Sequence, residues 1–146
     1  MKFDTLSFIS KLVRFRSVSA DSTKASETRA CAEFLNAEFA SRGFESSLLE
    51  TSKNPVVFAR RACASGAPKV RVLCYGHYDV QPAEPLEKWN TEPFEPTIKD
   101  GKIWGRGTAD NKGPSSCMLA GLFNFLAENP DADIDVGIAL EGEEEI

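Results

Sequence analysis

The sequence predicts an α/β sandwich. Two N-terminal segments place apolar residues at helical spacing, and several short apolar runs are bounded by turn residues. A strand, a hairpin, a helix and a last strand then follow in that order. With 146 residues and 42% hydrophobic composition the chain can bury one core, so one domain is expected.

The first helix is read from Phe3, Leu6, Phe8, Ile9, Leu12, Val13 and Phe15, with Asp4 near its start. A second runs from about Thr23 to Arg42. Cys31, Leu35 and Phe39 recur there at four-residue steps, with Ala30 and Phe34 beside them and Gly43 as the stop. Phe44 to Glu50 and Pro55 to Arg61 read as strands, and Ala64 to Pro68 as a turn. Val70 to Tyr75 reads as a buried central strand, and the Pro-rich stretch from Gly76 to Pro96 as an ordered loop. Thr97 to Trp104 is expected to form a hairpin, because Asp100-Gly101 suits the left-handed φ angles of a type I′ turn. The next helix starts near Gly113-Pro114, where proline sacrifices no needed hydrogen bond. Its apolar side is Met118, Leu119, Leu122, Phe123 and Leu126, and Asn129-Pro130-Asp131 ends it. Ile134 to Leu140 is the last strand, and neither an internal repeat nor a flexible linker interrupts the order.

Charge and cysteine usage narrow the function classes. The net charge is −5, but Glu141, Glu143, Glu144 and Glu145 supply most of it and the remainder is nearly neutral. That balance argues against a nucleic-acid or anionic-membrane partner. Cys31, Cys63, Cys74 and Cys117 are widely spaced and form no paired metal motif. The opening Met1-Lys2-Phe3-Asp4 carries no signal-peptide run, and no span reaches membrane length. Reduced thiols in a cytoplasmic protein are therefore expected.

Three places offer chemistry. His77 and Asp79 follow the strand Val70 to Tyr75, at the end where open α/β sheets hold their ligands. Two residues apart in extended chain, they project to the same side, as a metal-binding imidazole and its orienting carboxylate would. The plainer alternative is a loop histidine capped by an aspartate. Gly105 to Gly113 is a glycine-rich stretch, but Lys112 precedes Gly113-Pro114 where a phosphate loop needs Lys followed by Ser or Thr. Asp110 within it is either a helix N-cap or a carboxylate ligand. The Glu141 to Glu145 run is either a solvated acidic turn or a set of carboxylates at the C-terminal edge of the sheet. His77, Asp110 and those glutamates all emerge at strand ends, a constellation suited to one or two divalent cations.

The chain closely resembles the carnosinase-type metallo-dipeptidases of the aminoacylase and carboxypeptidase-G superfamily of dinuclear zinc peptidases. The resemblance is carried by Gly76-His77-Tyr78-Asp79-Val80-Gln81-Pro82, by Trp89 with Pro93-Phe94-Glu95-Pro96, and by Asp100-Gly101. It continues through Gly105-Arg106-Gly107, Asp110, Lys112-Gly113 and Glu141-Gly142-Glu143-Glu144-Glu145-Ile146, with Ser17-Val18-Ser19 and Pro55-Val56-Val57 as weaker markers. It implies a zinc-peptidase-like α/β sandwich with a central mixed sheet flanked by helices. Residues 1–146 would be the N-terminal portion of an incomplete catalytic domain, without the inserted lid and dimerisation domain.

The same resemblance implies two divalent metal ions, zinc first, with Mn or Co as alternatives. His77 would bind one metal, Glu145 the other, and Asp110 both. Glu144 would be the general base and Asp79 would orient His77. A cis peptide is implied at Asp110-Asn111, where Asn111 replaces the second Asp of many relatives. The implied reaction is metal-assisted amide hydrolysis of a dipeptide or N-acyl amino acid, with Glu144 taking a proton from water and returning it to the leaving amine. Further ligands, an acidic residue and a His, are expected after Ile146, so this chain alone is expected to be inactive and its parent enzyme a homodimer. Two other readings stand beside the dipeptidase. One is an N-acyl amino acid deacylase or desuccinylase using the same metals; the other is a non-catalytic fragment that serves binding or assembly.

Overall fold

A computed structural model describes residues 3–146; Met1 and Lys2, which open the segment read for a signal peptide, lie outside the described residues. Helix α1 spans Thr5–Arg14, with the Asp4 carboxylate accepting the Ser7 N–H and Lys11 and Arg14 in its last turn. Helix α2 spans Ala25–Ser41 and starts later than its periodicity suggests. Asp21 accepts both the N–H and the hydroxyl of Thr23, which tightens Ser22–Lys24 into a 3-10 turn. Gly43, at φ +80°, turns the chain out of the helix as expected.

Strands β1 (Glu45–Leu49), β2 (Val56–Arg61), β3 (Val70–His77) and β6 (Ile134–Glu141) form a four-stranded sheet in the order β1-β2-β6-β3. Strand β6 pairs antiparallel with β2 and parallel with β3, so the sheet is mixed. The small hairpin of β4 (Thr97–Lys99) and β5 (Lys102–Trp104) turns through Asp100 and Gly101 at φ 54° and 72°, the geometry read from Asp-Gly. Helix α3 (Lys112–Glu128) forms the crossover that returns the chain from the hairpin to β6.

All three helices cover one face of the sheet. Val57, Ala59, Cys74, Val136, Ile138 and Leu140 point into a core shared with Leu12, Cys31, Leu35, Phe39, Leu119 and Phe123. Phe3, Phe8 and Phe123 meet edge to face there, with centroids 5.1 and 5.3 Å apart. The residues between them on the strands face outward, and Leu73 and Tyr75 are 66% and 59% exposed.

Two expectations for β3 are corrected. It is not central: among the described residues it pairs only with β6, and β6 occupies the interior position. The run Val70 to Tyr75 is apolar on both faces, and composition alone does not distinguish an inner strand from an edge strand with one uncovered face. The strand also continues through Gly76 to His77, which read as loop in the sequence. Gly76 belongs in the strand because a side chain there would collide with Ser115 and crowd Asn111 and Leu140. The loop that follows is ordered, as read. Val80 bridges to Val18, Trp89 Nε1 donates to the Ala83 carbonyl at 2.7 Å, and Arg106 lies 5.0 Å over the Trp89 ring.

Lys112 joins the start of α3 to the end of α1. Its Nζ donates to the carbonyls of Leu12 and Phe15 at 2.9 and 2.8 Å from a site that is 1% exposed. Burial pushes its pKa down from 10.5 to about 8. At the same edge of the sheet, Gly142 lies directly against the buried Tyr78 ring, whose hydroxyl donates to the Pro55 carbonyl at 2.6 Å. No side chain fits between them.

Lys112→Met is expected to cost about 1–3 kcal/mol by leaving the Phe15 carbonyl unpaired and removing one of the two donors to the Leu12 carbonyl. Because the folded-state pKa is depressed, the unfolded chain binds more protons between about pH 8 and 10.5, so this group adds stability as pH rises across that window. Urea denaturation at a series of pH values should show the gap between native protein and variant widening from pH 8 to 10. Gly142→Ala is expected to destabilise by about 1–3 kcal/mol through overpacking against Tyr78, seen as a lower urea midpoint with an unchanged slope.

Candidate metal centre

His77 ends β3 and is paired in register with Glu141 of β6, so the parallel pair delivers the histidine and the glutamate run to one edge of the sheet. The imidazole is buried. Its Nδ1 lies 3.2 Å from the Asp79 main-chain oxygen and 3.3 Å from Asp79 Oδ1. Its Nε2 faces outward, 3.1 Å from Asp110 Oδ1 and 3.9 Å from Glu144 Oε2.

Asp79 is wholly buried behind this ring. Its Oδ2 accepts the Ser19 hydroxyl at 2.6 Å and the Glu145 N–H at 2.9 Å. Oδ1 has no aligned donor and keeps only its approach to His77. A buried carboxylate in that position favours a proton on Nδ1 and leaves the Nε2 lone pair directed at the outer carboxylates. Lone pair and carboxylate oxygens repel unless a cation lies between them. The donor set thus fits a metal: His77, Asp110 and Glu145 each offer one ligand atom, and these atoms lie within 4.8 Å of one another.

The alternatives left open by the sequence are resolved locally. Asp110 does not cap α3; that position is held by Asn111, which accepts the Ser115 hydroxyl. The Asp110 side chain is 72% exposed at the mouth of the site, and the Asp110-Asn111 peptide is cis, as the resemblance implied. The glycine-rich stretch has a packing reason, since Gly107 lies against Val80 and the Lys112 stem, and Gly113 against the Thr108 main chain.

The terminal glutamates separate by partner. Glu141 accepts the Tyr75 hydroxyl, a bond that pushes the tyrosine pKa up. Glu143 folds back on the turn before β2, accepting from the Thr51 hydroxyl and from the N–H groups of Lys53 and Asn54 at 3.2 and 2.9 Å. Those bonds, Thr51 first, hold its carboxyl below the usual range. Glu144 and Glu145 turn to the centre, and Gln81 Nε2 donates to Glu145 Oε2 at 2.6 Å. Sequence reasoning assigned no role to Ser19, Gln81 or Lys112. All three stand in motif stretches quoted above, but their contacts join segments that no local spacing connects.

A succinyl-diaminopimelate desuccinylase of Thiobacillus denitrificans (strain ATCC 25259 / T1) is 34% identical over 143 residues, covering 97% of this chain and 34% of the desuccinylase. Human carnosine dipeptidase 1 matches with a TM-score of 0.85 at 25% identity, over 97% of this chain and 32% of its own. The M20 family metallo-carboxypeptidase Sso-CP2 from Sulfolobus solfataricus matches with a TM-score of 0.84 at 30% identity, over 98% of this chain and 31% of its own. This chain therefore spans about a third of the length of the relatives it matches. Residues 73–146, from the middle of β3 through Ile146, match the description "Peptidase family M20/M25/M40". His77, Asp110 and Glu145 all lie within that matched segment, and the chain belongs to this peptidase family.

Proposed function

We propose that this chain carries the metal-binding half of a hydrolase that cleaves the amide bond of dipeptides or short peptides. The observation that carries the reading is the outward-facing Nε2 of His77, 3.1 Å from Asp110 Oδ1 with Glu144 Oε2 at 3.9 Å. The likeness to human carnosine dipeptidase 1 supports the dipeptide. So do Tyr78, Gln81-Pro82 and the loop from Trp89 to Pro96, which fit the dipeptidase pattern. The desuccinylase relative supports a second reading, an N-acyl amino acid substrate at the same centre. The homodimer, the inserted lid and a cytoplasmic location belong to this proposal. Among the described residues no helix is long and apolar enough to cross a membrane, and the four cysteines are free thiols.

His77, Asp110 and Glu145 would hold divalent cations, and Asp110 would serve both where two bind; imidazole with carboxylates suits zinc, and Mn or Co as alternatives. When bound, such ions acidify water and polarise a carbonyl. The protein's own residues divide the remaining work. Asp79 holds the His77 ring so that Nε2 presents its lone pair outward. Its hydrogen bond from the Glu145 main chain fixes the turn on which Glu144 stands. Glu144, half-exposed and free of a hydrogen-bonded partner among the described residues, takes a proton from the attacking water and delivers it to the leaving amine. Gln81 fixes one oxygen of Glu145 and leaves the other to a ligand.

Calorimetric titration of this chain with zinc should show weak or single-site binding, because one histidine and two carboxylates cannot saturate two cations. Two tight sites per monomer would contradict that. In the complete enzyme, Glu144→Gln should remove about 10²–10⁴-fold of turnover with metal retained. Glu145→Gln should instead lower metal content, with partial recovery in added zinc. Metal content and turnover measured together decide between the two roles; the reverse pattern would exchange them.

A further inference from the structure

Between the start of α2 and the turn preceding β2 lies a cavity of about 280 Å³, lined by Val18, Ser19, Asp21, Ala25, Lys53 and Asn54 among others. None of the candidate metal ligands lines it. Asn54 is only 6% exposed, and its side-chain amide makes no hydrogen bond among the described residues, although its main-chain N–H and carbonyl are both engaged. Its oxygen and nitrogen are not sealed off from solvent, so the partners of this amide come from the cavity it lines.

The rest of the lining states what that is. Asp21 uses Oδ1 for Thr23 and keeps Oδ2 free, and the Thr23 bonds hold its carboxyl below the usual range, so it is an anion. The Lys53 ammonium has no ion-pair partner within 4 Å among the described residues. Val18, Ala20 and Ala25 make the wall small and apolar. A simple anion would be repelled by Asp21 and a simple cation by Lys53. A molecule bearing both charges, with a short aliphatic part, satisfies the lining together with the Asn54 amide. The volume is at the small end for ligand sites, which suits a molecule of amino-acid size.

We propose that this cavity binds a free α-amino acid, its carboxylate on Lys53 and the Asn54 amide, its ammonium on Asp21, and a small aliphatic side chain against Val18 and Ala25. The site lies one hydrogen bond from the metal centre, because the Ser19 hydroxyl that lines it donates to Asp79 Oδ2 at 2.6 Å. Free amino acids are also what the proposed reaction releases. Binding can nevertheless be measured without metal or turnover, so its failure would leave the hydrolase reading intact, and failure of that reading would leave the cavity as it is.

The test follows the Asn54 side-chain amide by ¹⁵N NMR in metal-free protein while L-valine, N-acetyl-L-valine or L-valinamide is added. L-valine should give a saturable shift in the millimolar range, and each blocked form should bind at least about tenfold more weakly. Asn54→Leu, which fills the cavity and keeps the main-chain bonds, should abolish valine binding as read by calorimetry. Lys53→Met, on the exposed turn, should weaken it about tenfold, the loss of one charge-assisted contact. Thermal melts establish that both variants fold; if Asn54→Leu does not, Lys53→Met and the two blocked probes carry the test. No saturable shift up to about 50 mM L-valine, meaning that solvent alone meets the amide, would overturn the proposal. An equal response to N-acetyl-L-valine would overturn it as well.

Discussion

The buried carboxylate of Asp79 is the point on which the rest of the site depends. It draws together three segments far apart in sequence: the end of β3 through His77, the turn after α1 through Ser19, and the turn after β6 through the Glu145 main chain. Burying a carboxylate is expensive unless hydrogen bonds and a nearby positive charge compensate. Ser19 and Glu145 supply the bonds, and the ammonium of Lys112 is the buried charge of opposite sign whose field it shares. Removing any of these would leave an uncompensated charge in the interior, so the turn carrying Glu144 and Glu145 is tied to the stability of the core behind it.

Lys112 extends that dependence to the helices. It begins α3, reaches the last carbonyls of α1, and lies beneath Gly107 of the glycine-rich stretch. A cation at a helix C-terminus also opposes the partial negative charge of that end. One side chain therefore fixes the helix crossing, fills the space below the loop that presents Asp110, and faces the carboxylate that holds His77.

Much of this was legible in the sequence. The Asp-Gly hairpin, the apolar stripes of α2 and α3 and the final strand are local patterns, and local patterns have local causes. The mixed α/β class, the meeting of His77, Asp110 and Glu145, and the cis peptide at Asp110 also stand as read. What was not legible depended on tertiary neighbours. Gly76 reads as a turn residue until Ser115 is seen to occupy the space beside it. Val70 to Tyr75 reads as an inner strand because its outward residues are apolar. Ser19 and Gln81 have no distinguishing chemistry until the fold brings them to Asp79 and Glu145, about 60 residues away.

The parallel register of β3 and β6 bears on how such a chain tolerates change in length. His77 and Glu141 are paired, so the distance from histidine to the glutamate pair is set by strand register and not by the 63 residues between them. Inserting or deleting one residue within either strand would turn its side chains to the opposite face and advance the chain by about 3.3 Å, separating His77 from Glu145. The same change between Pro82 and Pro96 would be absorbed in the loop, which takes no part in the β3–β6 ladder. Length variation is thus channelled into segments outside the β3–β6 ladder, among them the long connection between the two strands, and the spacing of the candidate metal ligands along the chain can drift while their spacing in the fold does not.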